Sequence, residues 1–330
     1  MKRWISGMAV SAALGIAAAG QSASAETIEI AELNWAGSSG AAQVIKVIVE
    51  DYLGEDTAII GGDEVALFAG MARNDGTVDI FPDMWTVQLT AQWNEYIAPG
   101  SKETVRVNAV PYLGTEGVFV PGYIQEAHGI TDISQMNDPE IAKLFDTDGN
   151  GKGEYWTGAA GWQSVDYNAV KAKSMGFDEY WEPVIVEVPV FEGMLDAAYK
   201  KEEPVLFYYY TPEWIFGAYD LRALNEPAYS EDCHNFIQQS EDPDWFENSE
   251  ITCAQPNVPV HMAYAQSLEE TAPDVAKFMS QLEITDAIMS EWIKRISADG
   301  EDAAAMAQDW VESNRDIVED QWLAGIDHQG

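Results

Sequence analysis

Thr27-Ile28-Glu29-Ile30-Ala31-Glu32-Leu33-Asn34 runs directly into Trp35-Ala36-Gly37-Ser38-Ser39-Gly40. The first stretch alternates apolar and polar side chains as a strand does, and the second is a small-residue turn. Val44, Ile45, Ile48, Val49 and Tyr52 then recur at helical spacing until Gly54. Gly37 to Gly40 therefore present backbone N–H groups at a helix N-terminus, a setting that favours anions. A strand over 57–60, an amphipathic helix over 64–73 and a strand over 78–81 follow. This β-α-β-α-β order specifies an α/β lobe with a largely parallel sheet.

Further along, 105–120, 184–190, 205–210 and 258–264 read as strands. Thr271-Ala272-Pro273-Asp274 reads as a capped helix start, with Val275, Phe278, Met279 and Leu282 as the buried face. Helices over about 286–296 and from Met306 to Trp322 make the last quarter helical and place it against the first lobe. A chain of 330 residues exceeds what one core usually supports, so two lobes are expected. No repeat or Pro/Ser tether separates them, which favours lobes exchanged through crossover strands.

Lys2 and Arg3 precede an uncharged apolar run from Trp4 to Ala19, and Ala23-Ser24-Ala25 has the small-x-small form of a cleavage site. Residues 1–25 are expected to be an export leader, removed after Ala25. The formal net charge is −39, and loss of Lys2 and Arg3 makes it two units more negative, −41. So acidic a surface is repelled by nucleic acid and anionic lipid and suits a salty exterior. Cys233 and Cys253 share a polar segment of an exported chain. A disulfide there would close a loop worth about 3 kcal/mol, and the lack of a C-x-x-C spacing argues against zinc.

Three aromatic segments stand between small or turn-forming residues: Phe81-Pro82-Asp83-Met84-Trp85, Gly158-Ala159-Ala160-Gly161-Trp162-Gln163, and Phe207-Tyr208-Tyr209-Tyr210-Thr211-Pro212-Glu213-Trp214. A single aromatic most often fills a core. Trp35, Trp85, Trp162 and Tyr210, however, all fall at strand ends or turns, where α/β lobes hold ligands. Several aromatic faces around one point make a cage for a methylated cation.

Here the chain resembles the periplasmic binding proteins of ABC transporters for glycine betaine, proline betaine, choline and related osmolytes. The resemblance rests on the order of Val78 to Trp85, Asp138 to Asp146, Gly161-Trp162, Pro204 to Trp214 and Pro273 to Phe278. It implies a type II periplasmic binding fold, two lobes each with a mostly parallel sheet flanked by helices, and a ligand cleft between them. The expected division is 26–118 plus 257–330 for lobe 1 and 119–256 for lobe 2. Trp85, Trp162 and Tyr210 match the family's aromatic box, and Trp35 matches a fourth aromatic of some choline-binding members. The implied role is to capture a methylated amine, glycine betaine first, and deliver it as a monomer to an inner-membrane permease without a cofactor.

Two acids bear on the ligand. Glu213 stands where several betaine-binding members have His or Tyr, and Glu116 lies in a segment expected to line the cleft. If both face the site, a ligand without a carboxylate, such as choline or trimethylamine N-oxide, gains ground. If both face solvent, glycine betaine stands, its carboxylate met by backbone N–H groups near Gly37 and Gly161.

Asp146, Asp148, Asn150, the Lys152 carbonyl and Glu154 follow the first part of a calcium loop, with Gly151 at the turn. Thr157 replaces the closing acid, so this is not an EF-hand. The loop is either calcium-stabilised or an Asx-rich turn, structural in both cases. An enzyme is the reading from another class: glutamates in an aromatic cleft can hydrolyse glycosides. His128, His234, His261 and His328 are scattered, and no catalytic fingerprint is present.

Overall fold

The computed structural model describes residues 27–329; the expected leader lies outside them. The strands are β1 (Ile28–Glu32), β2 (Thr57–Gly61), β3 (Ile80–Trp85), β4 (Val105–Val107), β5 (Tyr112–Pro121), β6 (Gly153–Gly158), β7 (Trp181–Ile185), β8 (Leu206–Thr211), β9 (Leu221–Ala223), the short pair β10 (His234–Asn235) and β11 (Glu250–Ile251), and β12 (Val258–Ala265). All but β10 and β11 join one curled sheet, ordered β2-β1-β3-β12-β5-β8-β6-β7, with β4 on β12 and β9 on β5.

The opening β-α-β-α-β stretch forms as its periodicity dictates. Helix α1 (Ala36–Val47) continues as a π-turn to Tyr52, and α2 (Glu64–Ala72) is capped by Asp63, whose side chain accepts from the Ala66 N–H. Strands β2, β1 and β3 are mutually parallel, as are β7, β6 and β8. Strand β12 runs antiparallel to β3, β4 and β5, and β5 runs antiparallel to β8 and β9. Tyr112, Leu113 and Gly114 pair with β12, whereas Thr115 to Phe119 pair with β8. Strand β5 thus carries the chain from one half of the sheet to the other at Gly114.

Gly114 is required there. A Cβ on it would lie 2.3 Å from the Trp85 ring, inside any real contact, so only glycine lets that indole lie across the crossover. The C-terminal helices pack on the first half as expected. Gly40 of α1 admits Trp292 and Met306, which would stand 3.2 and 3.5 Å from a Cβ.

Three local expectations are corrected. The strand expected over 184–190 ends at Ile185, because Pro189 occupies the first turn of α4 (Val188–Lys201), whose Val188, Phe191 and Leu195 are buried at helical spacing. The strand expected over 105–120 breaks where Asn108 turns its amide to the carbonyls of Val110 and Leu282. Thr271 does not cap the following helix. It ends a short helix of its own, and Ala272 precedes Pro273–Gln281 without a side-chain cap.

Cys233 and Cys253 form a disulfide with sequence separation 20. Replacing both by Ala should lower unfolding stability by about 3 kcal/mol, the loop entropy of a cross-link of that span. Chemical denaturation of the reduced-proof variant beside the parent checks this, and equal midpoints would refute it.

Candidate functional site

Four rings close around one cavity. Trp35 precedes α1, Trp85 ends β3, Trp162 precedes helix α3 (Gln163–Met175), and Tyr210 is the next-to-last residue of β8. Trp35 meets Trp162 edge-on at 5.4 Å, Trp162 meets Tyr210 at 5.7 Å, and Tyr210 meets Trp85 at 5.1 Å, with interplanar angles of 61–81°. None of the four is more than 8% exposed. Such edge-to-face contacts leave ring faces free to turn inward. Gly158 and Gly161, at φ 135° and 84°, make the turn that presents Trp162, which cannot be built from residues with a Cβ at that cost.

The cavity between them is small, about 30 Å³, and is also lined by Glu64, Gln88, Glu116, Gln163, Ser164 and Tyr208. Glu116 sits opposite Tyr210 in the β5–β8 register. Its carboxylate accepts from the Tyr208 hydroxyl at 2.8 Å and from the Gln88 amide. Glu116 is partly exposed as a residue, yet its Oε2 is shut off from solvent and, like Oε1 of Gln88, has no hydrogen-bond partner among the described residues.

The site is unusually rich in buried carboxyls. Burial pushes Glu116 up to about 7, against the pull of Tyr208 and Gln88, and pushes Glu64 up to about 8, against the pull of the Gln163 N–H. Asp83 is also raised by burial, opposed by its bonds from Tyr112 and Trp35. Glu213 is held well above the ordinary range by burial and by Glu192. No Lys, Arg or His lines the cavity. Lys171, a buried cation whose charge reaches Glu116, is paired with Glu226.

Each of the two expected carboxylate-binding positions has an acid of the protein beside it. Asp83 lies in the left-handed region at φ 64°, where β3 bulges between the pairs Phe81↔Ala263 and Met84↔His261. The bulge turns its carboxylate inward to accept from Trp35 Nε1 and Tyr112 OH. A Cβ on Gly37 would stand 3.1 Å from Asp83 Oδ2, so that acid covers the start of α1. At the start of α3 the Gln163 N–H faces the Glu64 carboxyl.

Gly37 is therefore behind Trp35 and does not line the cavity. Gly161 lies in a neighbouring cleft with Asp63 and Asn34. Glu213 is buried, 8% exposed, but does not line the cavity either, and Glu116 alone of the two expected acids does. Glu64, Gln88, Gln163, Ser164 and Tyr208 were not singled out from sequence. Tyr208 alone carried a sequence cue, as the alternate residue on the strand of Tyr210.

The Asp146 loop stands apart from this site. Asp146 accepts from the N–H groups of Gly149, Asn150 and Gly151, and Glu154 accepts from Thr147 and Asp148. The Asn150 side chain accepts from the Lys152 N–H. The loop is thus closed by Asx-type turns. Among the described residues no group of three or more His, Cys, Asp or Glu is placed to hold a metal ion.

A family model described as the substrate-binding domain of ABC-type glycine betaine transport systems matches residues 26–313. Over 112 residues the chain is 34% identical to the glycine betaine/proline betaine-binding periplasmic protein of Salmonella typhimurium, covering 30% of this chain and 33% of that protein. It is 23% identical over 168 residues to the glycine betaine/carnitine transport binding protein of Listeria monocytogenes, covering 51% and 47%. The matched region thus spans between a third and a half of these relatives. Among solved structures, the glycine betaine, L-proline ABC transporter binding protein of Borrelia burgdorferi superposes with TM-score 0.70 at 19% identity, covering 91% of this chain and 97% of that one. A choline-binding protein of an ABC transporter, in complex with choline, gives 0.69 at 16%, covering 92% and 93%. These superpositions establish the fold.

The buried carboxyls predict a pH signature. A carboxyl whose folded value is raised keeps a proton that the unfolded chain releases. Its contribution to stability is full below about 4.5, declines as pH rises, and is lost by about 8 for Glu64. Glu64→Gln should therefore raise the melting temperature of the ligand-free protein at pH 8, by at least about 2 °C, and change it little at pH 5. Thermal scans at both pH values decide; the same shift at both would refute the burial effect.

Proposed function

We propose, for a chain that belongs to the family of substrate-binding domains of ABC-type glycine betaine transport systems, that its ligand is a trimethylated amine whose polar end is a single oxygen. The carrying observation is that the cavity opposes an aromatic box to the Glu116 carboxyl, while Asp83 lies against the start of α1 and Glu64 against the start of α3, the two helix N-termini suited to an anionic group. The rings take the methylated cation through their π faces, at about 0.5–2 kcal/mol per desolvated contact. A ligand carboxylate would meet Glu64 and Glu116 in the lining with no Lys, Arg or His beside them, and would be repelled by either acid in its ionised form. Glycine betaine shares the cation but carries that cost.

Two single-oxygen ligands fit Glu116 in opposite protonation states. A hydroxyl such as that of choline donates its one proton to the orphaned Oε2 of Glu116. An N-oxide oxygen accepts from protonated Glu116, a form that a pKa of about 7 keeps available. In either case the protein binds, encloses and releases. Enclosure brings the two halves of the sheet together, as the bond from Trp162 Nε1 to Asn34 illustrates at 2.7 Å, and a closed form is what an inner-membrane permease would receive from the periplasm. Turnover is not part of this reading: a cavity closed by four rings to about 30 Å³ suits a compact amine better than a glycoside with its leaving group.

Fluorescence titration of the exported form should give tighter binding for choline or trimethylamine N-oxide than for glycine betaine, by at least about tenfold. A choline complex should tighten as pH rises through about 7, because its cation stabilises ionised Glu116. An N-oxide complex should weaken over the same interval, because the donor proton is lost. Tighter binding of glycine betaine than of either would overturn the assignment.

Trp85→Ala, Trp162→Ala and Tyr210→Ala should each weaken binding by about 1–3 kcal/mol, from lost cation–π contact and burial. Calorimetry on the three variants checks it, and unchanged affinity in all of them would return these rings to the core.

A further inference from the structure

We infer that the disulfide-closed segment is a strap that sets ligand specificity from outside the cavity, with Gln238 as the positioning residue acting through Gln88 on Glu116. The inference rests on the reading of the cavity above, in which Glu116 receives the ligand's oxygen.

The strap is docked on α3, the helix whose N-terminus borders the cavity. Lys173 Nζ donates to the carbonyls of Phe246, Glu247 and Ser249, and the Ile251 N–H donates to Ser174 Oγ at 3.0 Å. Gln239 donates to Asp166 at 2.9 Å. Tyr167, Val170 and Ile251 form a small separate core there, covered by Phe236, Trp245 and Phe246. The disulfide ties the two ends of this excursion together, and the pairing of β10 with β11 repeats the tie. The strap therefore moves with α3 and with the second half of the sheet.

From that base it reaches the other half. Gln238 is 4% exposed and its Nε2 donates to the backbone carbonyl of Gln88. Gln88 lies three residues beyond Trp85, in the turn where the Leu89 N–H returns to the Trp85 carbonyl. Its own amide donates to Glu116 Oε1. Gln238 is not free to drift: its N–H bonds Glu241 Oε2 at 3.0 Å, and its carbonyl accepts from Glu241. Gln238, Gln239 and Ser240 also line a cleft of about 400 Å³ together with Asp63, Val65, Trp162 and Gln163.

The chemistry of this relay is specific. A buried carbonyl left without its donor costs free energy, so removal of the Gln238 amide lets the Gln88 turn relax toward water. The Gln88 side chain then no longer aligns the Glu116 carboxyl. The aromatic box, built on other elements, is untouched. Loss of Gln238 should consequently penalise recognition of the ligand's oxygen more than recognition of its methyl groups.

Tetramethylammonium, which has the cation and no oxygen, separates the two. In Gln238→Ala, affinity for whichever of choline or trimethylamine N-oxide binds the parent should fall about 5- to 20-fold, the loss expected when a buried hydrogen bond is broken, mainly through faster dissociation. Tetramethylammonium affinity should change less than about twofold. In a Gln88→Ala background the Gln238 substitution should add less than about twofold. The double variant Cys233→Ala, Cys253→Ala should show the same selective loss, which keeps the test decisive if Gln238→Ala does not fold. Equal losses for all ligands, or additivity with Gln88→Ala, would overturn the strap. If the parent binds no methylated amine, the ligand assignment fails instead, and the tetramethylammonium control on the parent identifies that case.

Discussion

The burial of carboxyl groups beside aromatic rings, without a fixed cation to pair them, is the constraint on which the site depends. Glu64, Asp83, Glu116 and Glu213 gather around Trp35, Trp85, Trp162 and Tyr210, and each is pushed upward by loss of water. Burying ionised acids in this way costs stability unless protons or a cation are supplied. A methylated cation between the rings supplies one without needing a hydrogen-bond donor. The arrangement therefore disfavours the empty, ionised cavity and favours the occupied one. Such a difference is what allows a ligand to shift the equilibrium between open and closed forms.

Fold and site are coupled through β5. A single strand pairs with β12 through Tyr112–Gly114 and with β8 from Thr115 onward, so the point of transfer between the halves lies against the cavity. Trp85 rests on Gly114, Tyr112 holds Asp83, and Glu116 stands two residues beyond the crossover. Small rotations of the halves about this strand displace a ring, a buried acid and the Glu116 carboxyl together. Ligand identity and lobe geometry are consequently read by the same short stretch.

The rings were legible in the sequence because each sits beside a turn: Trp35 before Gly37, Trp162 after Gly161, Trp85 beyond a proline, and Tyr210 before Thr211-Pro212. Strand-end placement is a local property, and local properties survive in a pattern. The polar half of the site was much less legible. Glu64 reads as an ordinary acid in the first turn of an amphipathic helix, and only the approach of α2 to the start of α3 buries it. Gln88 stands in a turn with no periodic feature. Gly37 and Gly161 were correctly placed at helix starts, but no local pattern shows that Asp83 and Glu64 cover those starts from other segments. The strand expected near Val188 failed for a related reason: Val184 to Val190 is apolar enough for either state, and Pro189 settles it only once the spacing of Phe191 and Leu195 is weighed with it.

The net charge of −39 and the cavity act on different scales. Surface acids gather cations in general, with a reach set by the Debye length of about 8 Å at physiological salt, and they do not distinguish one amine from another. Discrimination requires contacts made after water is expelled, and those are divided in space. On the proposed reading the rings recognise the methyl groups shared by the whole ligand class, so their contribution is common to betaines, cholines and N-oxides. Glu116, with Gln88 and Tyr208 both bonded to Oε1 and with Oε2 lacking a partner among the described residues, would meet the one part in which these ligands differ. Selectivity is therefore carried by few hydrogen bonds whose geometry must be held from outside, and the elements that hold it, α3 and the disulfide-closed segment, are packed on each other instead of on the ligand. A site divided in this way can change its preferred amine by substitutions at the polar end while the aromatic box, and with it the affinity for the class, stays as it is.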